Sequence, residues 1–237
     1  MRWRRELSWN PGDLGWRIAL LFMVGSFLFA LGSFPPYSQL VDGRAVGITF
    51  VVGSLFFTAG GYSALLEVIN SPDDLRGDPA PAKFRFWARQ PAKTAWWAAF
   101  IQLVGTLLFN ANTIGAMIET FTIEQTNRLV WGPDFLGSIA FLVASHLFWL
   151  GVCHRLWCVR SDDPDWWGAL VNYVGSVFFM ASAIASFTLK TTGEAINITI
   201  VNLGTFIGAV CFLVGGYVSL PPAHRVQTAV TSPTSQS

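Results

Sequence analysis

Six stretches of this chain are too long, too apolar and too poor in charge to fold anywhere but across a lipid bilayer: residues 16–34, 46–69, 96–118, 134–153, 166–189 and 198–220. A helix rises about 1.5 Å per residue, so about 20 apolar residues cross the ~30 Å hydrocarbon core with every backbone polar group satisfied internally. Composition leaves no soluble alternative. Apolar residues make up 52% and charged residues 12% of the 237, against roughly 25% charged in globular domains, so there is no polar coat to keep six such helices in water. Turn residues separate the stretches. Pro35-Pro36 follows the first and Ser71-Pro72-Asp73-Asp74 the second; Gly132-Pro133-Asp134 opens the fourth, Asp163-Pro164-Asp165 the fifth, and Pro221-Pro222 closes the sixth. The expected fold is all-α and integral to a membrane, with six transmembrane helices.

The six stretches are copies of one hairpin. The odd ones share Trp16…Val24-Gly25-Ser26-Phe27-Leu28-Phe29, Trp96…Val104-Gly105-Thr106-Leu107-Leu108-Phe109 and Trp166…Val174-Gly175-Ser176-Val177-Phe178-Phe179. The even ones share Gly53-Ser54…Phe57…Gly60-Gly61-Tyr62, Gly137-Ser138…Phe141…Ala144-Ser145-His146 and Gly208-Ala209…Phe212…Gly215-Gly216-Tyr217. An Arg-rich start before an apolar run also suits a cleaved leader, but the match of the first stretch to the third and fifth makes it a structural member. Small residues recur two turns apart, as in Gly25 and Gly32, Gly53 and Gly60, and Gly208 and Gly215. In lipid, helices associate through small residues that admit close backbone approach and through hydroxyl hydrogen bonds. Counted at 1.5 Å per residue from one boundary, Gly25 and Gly60 fall near ~13 Å and Gly32 and Gly53 near ~24 Å, so these are the expected pairs. Three parallel copies imply a pseudo-axis along the membrane normal and favour a pseudo-threefold bundle over an open row.

The expected organisation is an N-terminal segment 1–15, hairpins at 16–69, 96–153 and 166–220, loops at 70–95 and 154–165, and a disordered Ser/Thr-rich tail at 221–237. These Val-Gly-Ser-x-[Leu/Phe]-Phe hairpins resemble the YrhK-like domain of bacterial membrane proteins, small two-span units found in repeated form. The resemblance covers most of residues 16–220; it implies a bacterial inner membrane and brings no catalytic residues with it.

Charge sets the expected orientation. Of the 15 Lys and Arg, only Arg44, Arg128 and Lys190 lie on one side; the rest, including Arg2, Arg4, Arg5, Arg17, Lys83, Arg85, Arg89, Lys93, Arg155 and Arg160, lie on the other. The crowded side is expected to be cytoplasmic, with both termini there. Nine of the 11 Trp lie on the same side, where an indole suits the headgroup level. The loop run Lys83, Phe84, Arg85, Phe86, Trp87, Arg89 suits anionic headgroups as well as the positive-inside rule, so the bilayer is the expected partner. The basic surface is too small for nucleic acid.

Chemistry is sparse. His146 occupies the repeat position of Tyr62 and Tyr217, and Gln102 and Asn172 each stand three residues before a motif Gly. Together the five would make a polar layer, either the floor of a cytoplasm-facing cavity or interhelical hydrogen bonding. Asn110 and Asn112 carry the same two readings. Arg17 and Glu67 are an expected ion pair at the helix seam. Three cysteines, Cys153, Cys158 and Cys211, do not make a disulfide framework and read as reduced thiols. Cys153-His154…Cys158 lacks the ligand spacing of structural zinc. No metal, cofactor or catalytic residue is expected. The sequence favours a non-enzymatic structural, accessory or lipid-interacting membrane protein; the alternative is a solute or ion transporter using the polar layer.

Overall fold

The computed structural model describes residues 9–72 and 80–220, so the tail at 221–237 and the first eight residues lie outside the described part. Among the described residues the chain is helical: α1 (Leu14–Ser33), α2 (Pro35–Leu40), α3 (Gly43–Asn70), α4 (Thr94–Gly115), α5 (Ile123–Thr126), a π turn (Asn127–Trp131), α6 (Gly132–Cys153), α7 (Pro164–Ala185) and α8 (Ile198–Val218). Six helices are long and apolar enough to cross a membrane: α1, α3, α4, the continuous run Ile123–Cys153, α7 and α8. Side-chain caps fix the starts of α1, α3 and α8. Asp13 accepts from Trp16 N at 2.8 Å, Asp42 from Ala45 N at 2.7 Å and Asn197 from Ile200 N at 3.1 Å, each satisfying a backbone N–H that the first turn leaves unpaired.

Gly132-Pro133 does not open the fourth span as expected. The helix already runs from Ile123, and the π turn at Asn127–Trp131 precedes Pro133. Proline cannot donate the usual backbone bond, and a wider turn before it accommodates that loss within a continuous helix.

The six long helices close into a ring. α1 packs on α3, α3 on α4, α4 on α6, α6 on α7, α7 on α8, and α8 back on α1, so the open row of hairpins is not formed. Within α1–α3, α4–α6 and α7–α8 the packing repeats one device. A Cβ on Gly25 would lie 2.9 Å from Gly53 O and 3.2 Å from the Phe57 ring; one on Gly53 would lie 2.8 Å from the Phe29 ring. Likewise Gly105 receives Phe141, Gly137 receives Phe109, Gly175 receives Phe212 and Gly208 receives Phe179. Each glycine thus seats the phenylalanine four residues beyond its partner glycine.

This pairing corrects the expected register. Gly25 meets Gly53, not Gly60; Gly60 packs on Phe22 and Gly32 on Phe50. Helix ends are not membrane boundaries: Gly25 lies between Gly53 and Phe57, so a count from residue 69 misplaces α3 by about half a heptad.

The six phenylalanines meet at the centre as two stacked triangles. Phe29, Phe109 and Phe179 from the odd spans have centroids 6.3, 6.2 and 5.9 Å apart; Phe57, Phe141 and Phe212 from the even spans have centroids 6.1, 6.1 and 5.5 Å apart. All six are buried. All of these pairs but Phe29–Phe109, which is tilted at 39°, are edge-to-face, and each such pair adds about 0.5–1.5 kcal/mol beyond simple burial. Hydroxyls tie neighbouring helices around this plug: Ser54 to Thr113 at 3.0 Å, Ser145 to Ser176 at 2.7 Å and Asn110 Nδ2 to Thr58 at 2.9 Å. Asn110 therefore takes the structural of its two readings.

The repeated Trp holds the incoming loop. Trp96 Nε1 donates to Ala88 O at 2.9 Å and Trp166 Nε1 to Cys158 O at 3.0 Å; their neighbours Trp97 and Trp167 donate to Pro91 O and Ser161 O.

Candidate functional site

Below the even-span triangle the ring opens into a cavity of about 310 Å³. Every long helix contributes to its wall. α1 presents Gly15, Ile18, Ala19 and Phe22 at helical spacing, one continuous stripe. Phe212 and Phe148 supply aromatic surface, Gln102 and Asn172 supply amides, and Glu67, Asp165 and Ser219 stand at the exposed end. No basic side chain lines it. Room for Asn172 comes from the repeat itself: its amide oxygen lies where a Cβ on Gly215 would stand.

The expected polar layer is thus split. Gln102 and Asn172 line the cavity; Tyr62, His146 and Tyr217 do not. The three rings do occupy equivalent places, but on the outer faces. Each lies two residues beyond a packed small residue (Gly60, Ala144 and Gly215), about 200° around the helix from it. Tyr62 is exposed, and its hydroxyl donates to Phe86 O at 2.9 Å, holding the aromatic loop. Tyr217 is exposed, and His146 lies beside Tyr173 at a centroid distance of 6.0 Å.

Arg17 and Glu67 form no ion pair; among the described residues the ion pair is Arg160–Asp163, at 3.7 Å. Two geometric facts separate the expected partners. Glu67 faces the cavity, while Arg17 is exposed on the side of α1 away from the lining stripe.

Cys153 and Cys158 are joined in a disulfide, with their Cα atoms 5.5 Å apart, which corrects the reading of reduced thiols for this pair. Cys211 is free. The local reason is the end of α6, where His154 takes a left-handed conformation (φ 53°) and turns the chain back, as helix C-termini commonly do. Neither sulfur is then a thiolate able to bind metal.

On the other side of the plug lies a polar void of about 30 Å³. The odd-span triangle, Phe29, Phe109 and Phe179, forms one wall. Asn112, Thr113, Asp134, Ser138, Ser182 and Thr205 form the rest. Asp134 is delivered there by the π turn region: Asn127 Nδ2 donates to Thr188 O at 2.8 Å, Asn127 Oδ1 accepts from Thr188 N at 3.0 Å, and Trp131 Nε1 donates to Ala183 O at 2.8 Å. These bonds hold the start of the fourth span against the end of α7, where Ser186 Oγ meets Asp134 Oδ2 at 3.1 Å. In the sequence Asp134 stands in a Gly-Pro-Asp turn signature. The available signal was a carboxylate inside a longer apolar run, a default functional candidate in a membrane helix.

No protein-family model, curated protein or solved structure matches this chain.

Proposed function

We propose that this chain is a non-enzymatic, multi-pass membrane protein that binds a small cationic or amphiphilic solute in the cavity below the aromatic plug. The observation that carries this reading is the lining: a volume of about 310 Å³, within the ~300–1,000 Å³ of small-molecule pockets, with two carboxylates, two amides, aromatic surface and no basic group. Carboxylates at the mouth attract cations, and phenylalanine faces favour an ammonium over an anion. The Phe triangles close the axis above the ligand, so the reading is of a binding protein rather than an open pore. Three repeated hairpins, a YrhK-like relationship, a bacterial inner membrane and a cytoplasmic mouth belong to the same proposal; the distribution of Lys and Arg supports the orientation.

A second reading, a lipid-interacting accessory protein, is favoured by the exposed Phe84, Phe86 and Trp87 beside Arg85 and Arg89. A thermal-shift series on purified protein separates the two. Small quaternary amines should stabilise saturably, carboxylates of equal size should not, and Glu67→Gln should weaken the response. Stabilisation by anionic lipid alone would favour the accessory reading.

A further inference from the structure

The void beside Asp134 shares no lining residue with the cavity just discussed and stands independently of the reading given to it. We propose that this void is a binding site for a single monovalent cation of about sodium size.

Asp134 lies within the membrane-spanning run Ile123–Cys153, where an ionised group needs a partner. Among the described residues no Lys, Arg or His pairs with it. Its hydrogen-bond donor is the Ser186 hydroxyl, which also reaches Ala183 O at 3.0 Å. A hydroxyl has one proton, so this donor is shared between two acceptors. The carboxylate is left with lone pairs that the protein does not fill.

The other walls supply acceptors too. Ser182 Oγ donates to Val201 O at 2.9 Å, and Thr113 Oγ1 to Phe109 O at 2.9 Å. Ser138 Oγ donates to Phe179 O at 3.4 Å. With the Ser182 proton committed to a carbonyl, the 2.8 Å contact between Ser182 and Thr205 is a donation from Thr205. All four hydroxyl protons are thus directed to protein atoms. Asn112 Nδ2 gives one proton to Val130 O at 3.2 Å, so what remains for the void is one amide N–H, oxygen lone pairs and one carboxylate. A water molecule brings two protons but no charge, and an anion brings the wrong one; a cation satisfies both the charge and the lone pairs.

Size and charge narrow the class. A void of about 30 Å³ holds one water-sized particle. Calcium and magnesium sites draw on several carboxylates or on bound water, whereas one carboxylate amid neutral oxygens balances a single positive charge. Among the described residues no three His, Cys, Asp or Glu side chains converge, so the donor set is hard oxygen rather than that of a transition metal. The ligands come from α4, α6, α7 and α8, so an ion here would clamp two hairpins together on the outer side of the plug.

The test uses the full chain purified in detergent at alkaline pH and constant ionic strength. Sodium chloride should raise the thermal midpoint saturably, while potassium and caesium chloride should not, and radioactive sodium should bind with a stoichiometry of one. Asp134→Asn, which keeps the shape and an acceptor for Ser186, should abolish both effects. Ser182→Ala should weaken sodium affinity at least about tenfold, as loss of a supporting group at a metal site does. Identical responses to the three salts would overturn the proposal, as would a midpoint that follows pH but ignores sodium, since that describes a protonated acid. If Asp134→Asn does not fold, the salt comparison on the wild type and on Ser182→Ala decides. Loss of sodium binding would leave the amine response of the inner cavity untouched, so the two proposals fail separately.

Discussion

Phe179 of α7 stands against Gly208 of α8 so closely that a Cβ on the glycine would lie 2.7 Å from the ring and 3.0 Å from Gly175 O. Neither neighbour can yield cheaply, because the ring belongs to the central plug and the oxygen to a backbone. Gly208→Leu should therefore destabilise the purified protein by about 1–3 kcal/mol through overpacking, seen as a lower thermal midpoint. Gly151→Leu is the control: nothing lies within 4 Å of its Cβ position, and leucine is a better helix former. Equal effects at the two sites would show that the glycine seats do not govern stability.

His146 sits outside the inner cavity despite its repeat position. Replacing it with Phe should leave amine binding within about twofold of wild type, whereas Asn172→Leu, filling the cavity wall, should reduce binding tenfold or more, as about 1.4 kcal/mol does. A loss of binding in His146→Phe comparable to that in Asn172→Leu would show that the ring contributes after all.

The aromatic loop is held by Asn70, whose side chain donates to Arg85 O at 2.9 Å and accepts from Arg85 N at 2.7 Å, and by the Tyr62 hydroxyl. Each net hydrogen bond contributes about 1 kcal/mol. Asn70→Ala should speed amide exchange at Arg85 and its neighbours and expose the loop to protease, with Tyr62→Phe having a smaller effect. Unchanged exchange in both variants would contradict this account.

The Cys153–Cys158 disulfide closes a short loop, worth about 2 kcal/mol in the chain-entropy model. Under denaturing, non-reducing conditions one cysteine should alkylate; after reduction, three should. Reaction of all three without reductant would return this pair to the thiol state.

Cysteines introduced singly at Gln39 and Thr192 of a cysteine-free variant should react with an impermeant thiol reagent on intact cells, and one at Ser161 only after permeabilisation. The reverse pattern would invert the proposed orientation.

The spans, the glycine positions and the phenylalanines four residues beyond them were legible in the sequence because each hairpin repeats them at fixed offsets. The facing residues were not. Register depends on how α3 is set along α1, which helix ends do not report, and this moved Gly25 from Gly60 to Gly53. Face depends on about 100° per residue, so a ring two positions beyond a packed glycine points outward, as Tyr62 and Tyr217 do. Asp134 was hidden because Gly132-Pro133 resembles a helix start, while the π turn carries the helix through it. The disulfide was hidden because it depends on the backward turn at His154, a conformation that residue identity does not dictate.

The reciprocal seats of glycine and phenylalanine have a mechanical consequence. Sliding one helix past its hairpin partner would drive two rings into backbone at once, so each hairpin behaves as a single stiff lever. The seams between hairpins lack the reciprocal rings: Gly216 of α8 meets the Met23 side chain and Ala19 O of α1, and α3 meets α4 through side-chain hydroxyls and amides. Any opening of the plug would therefore proceed as three levers tilting together, like the blades of an iris, with the two aromatic triangles widening as one aperture.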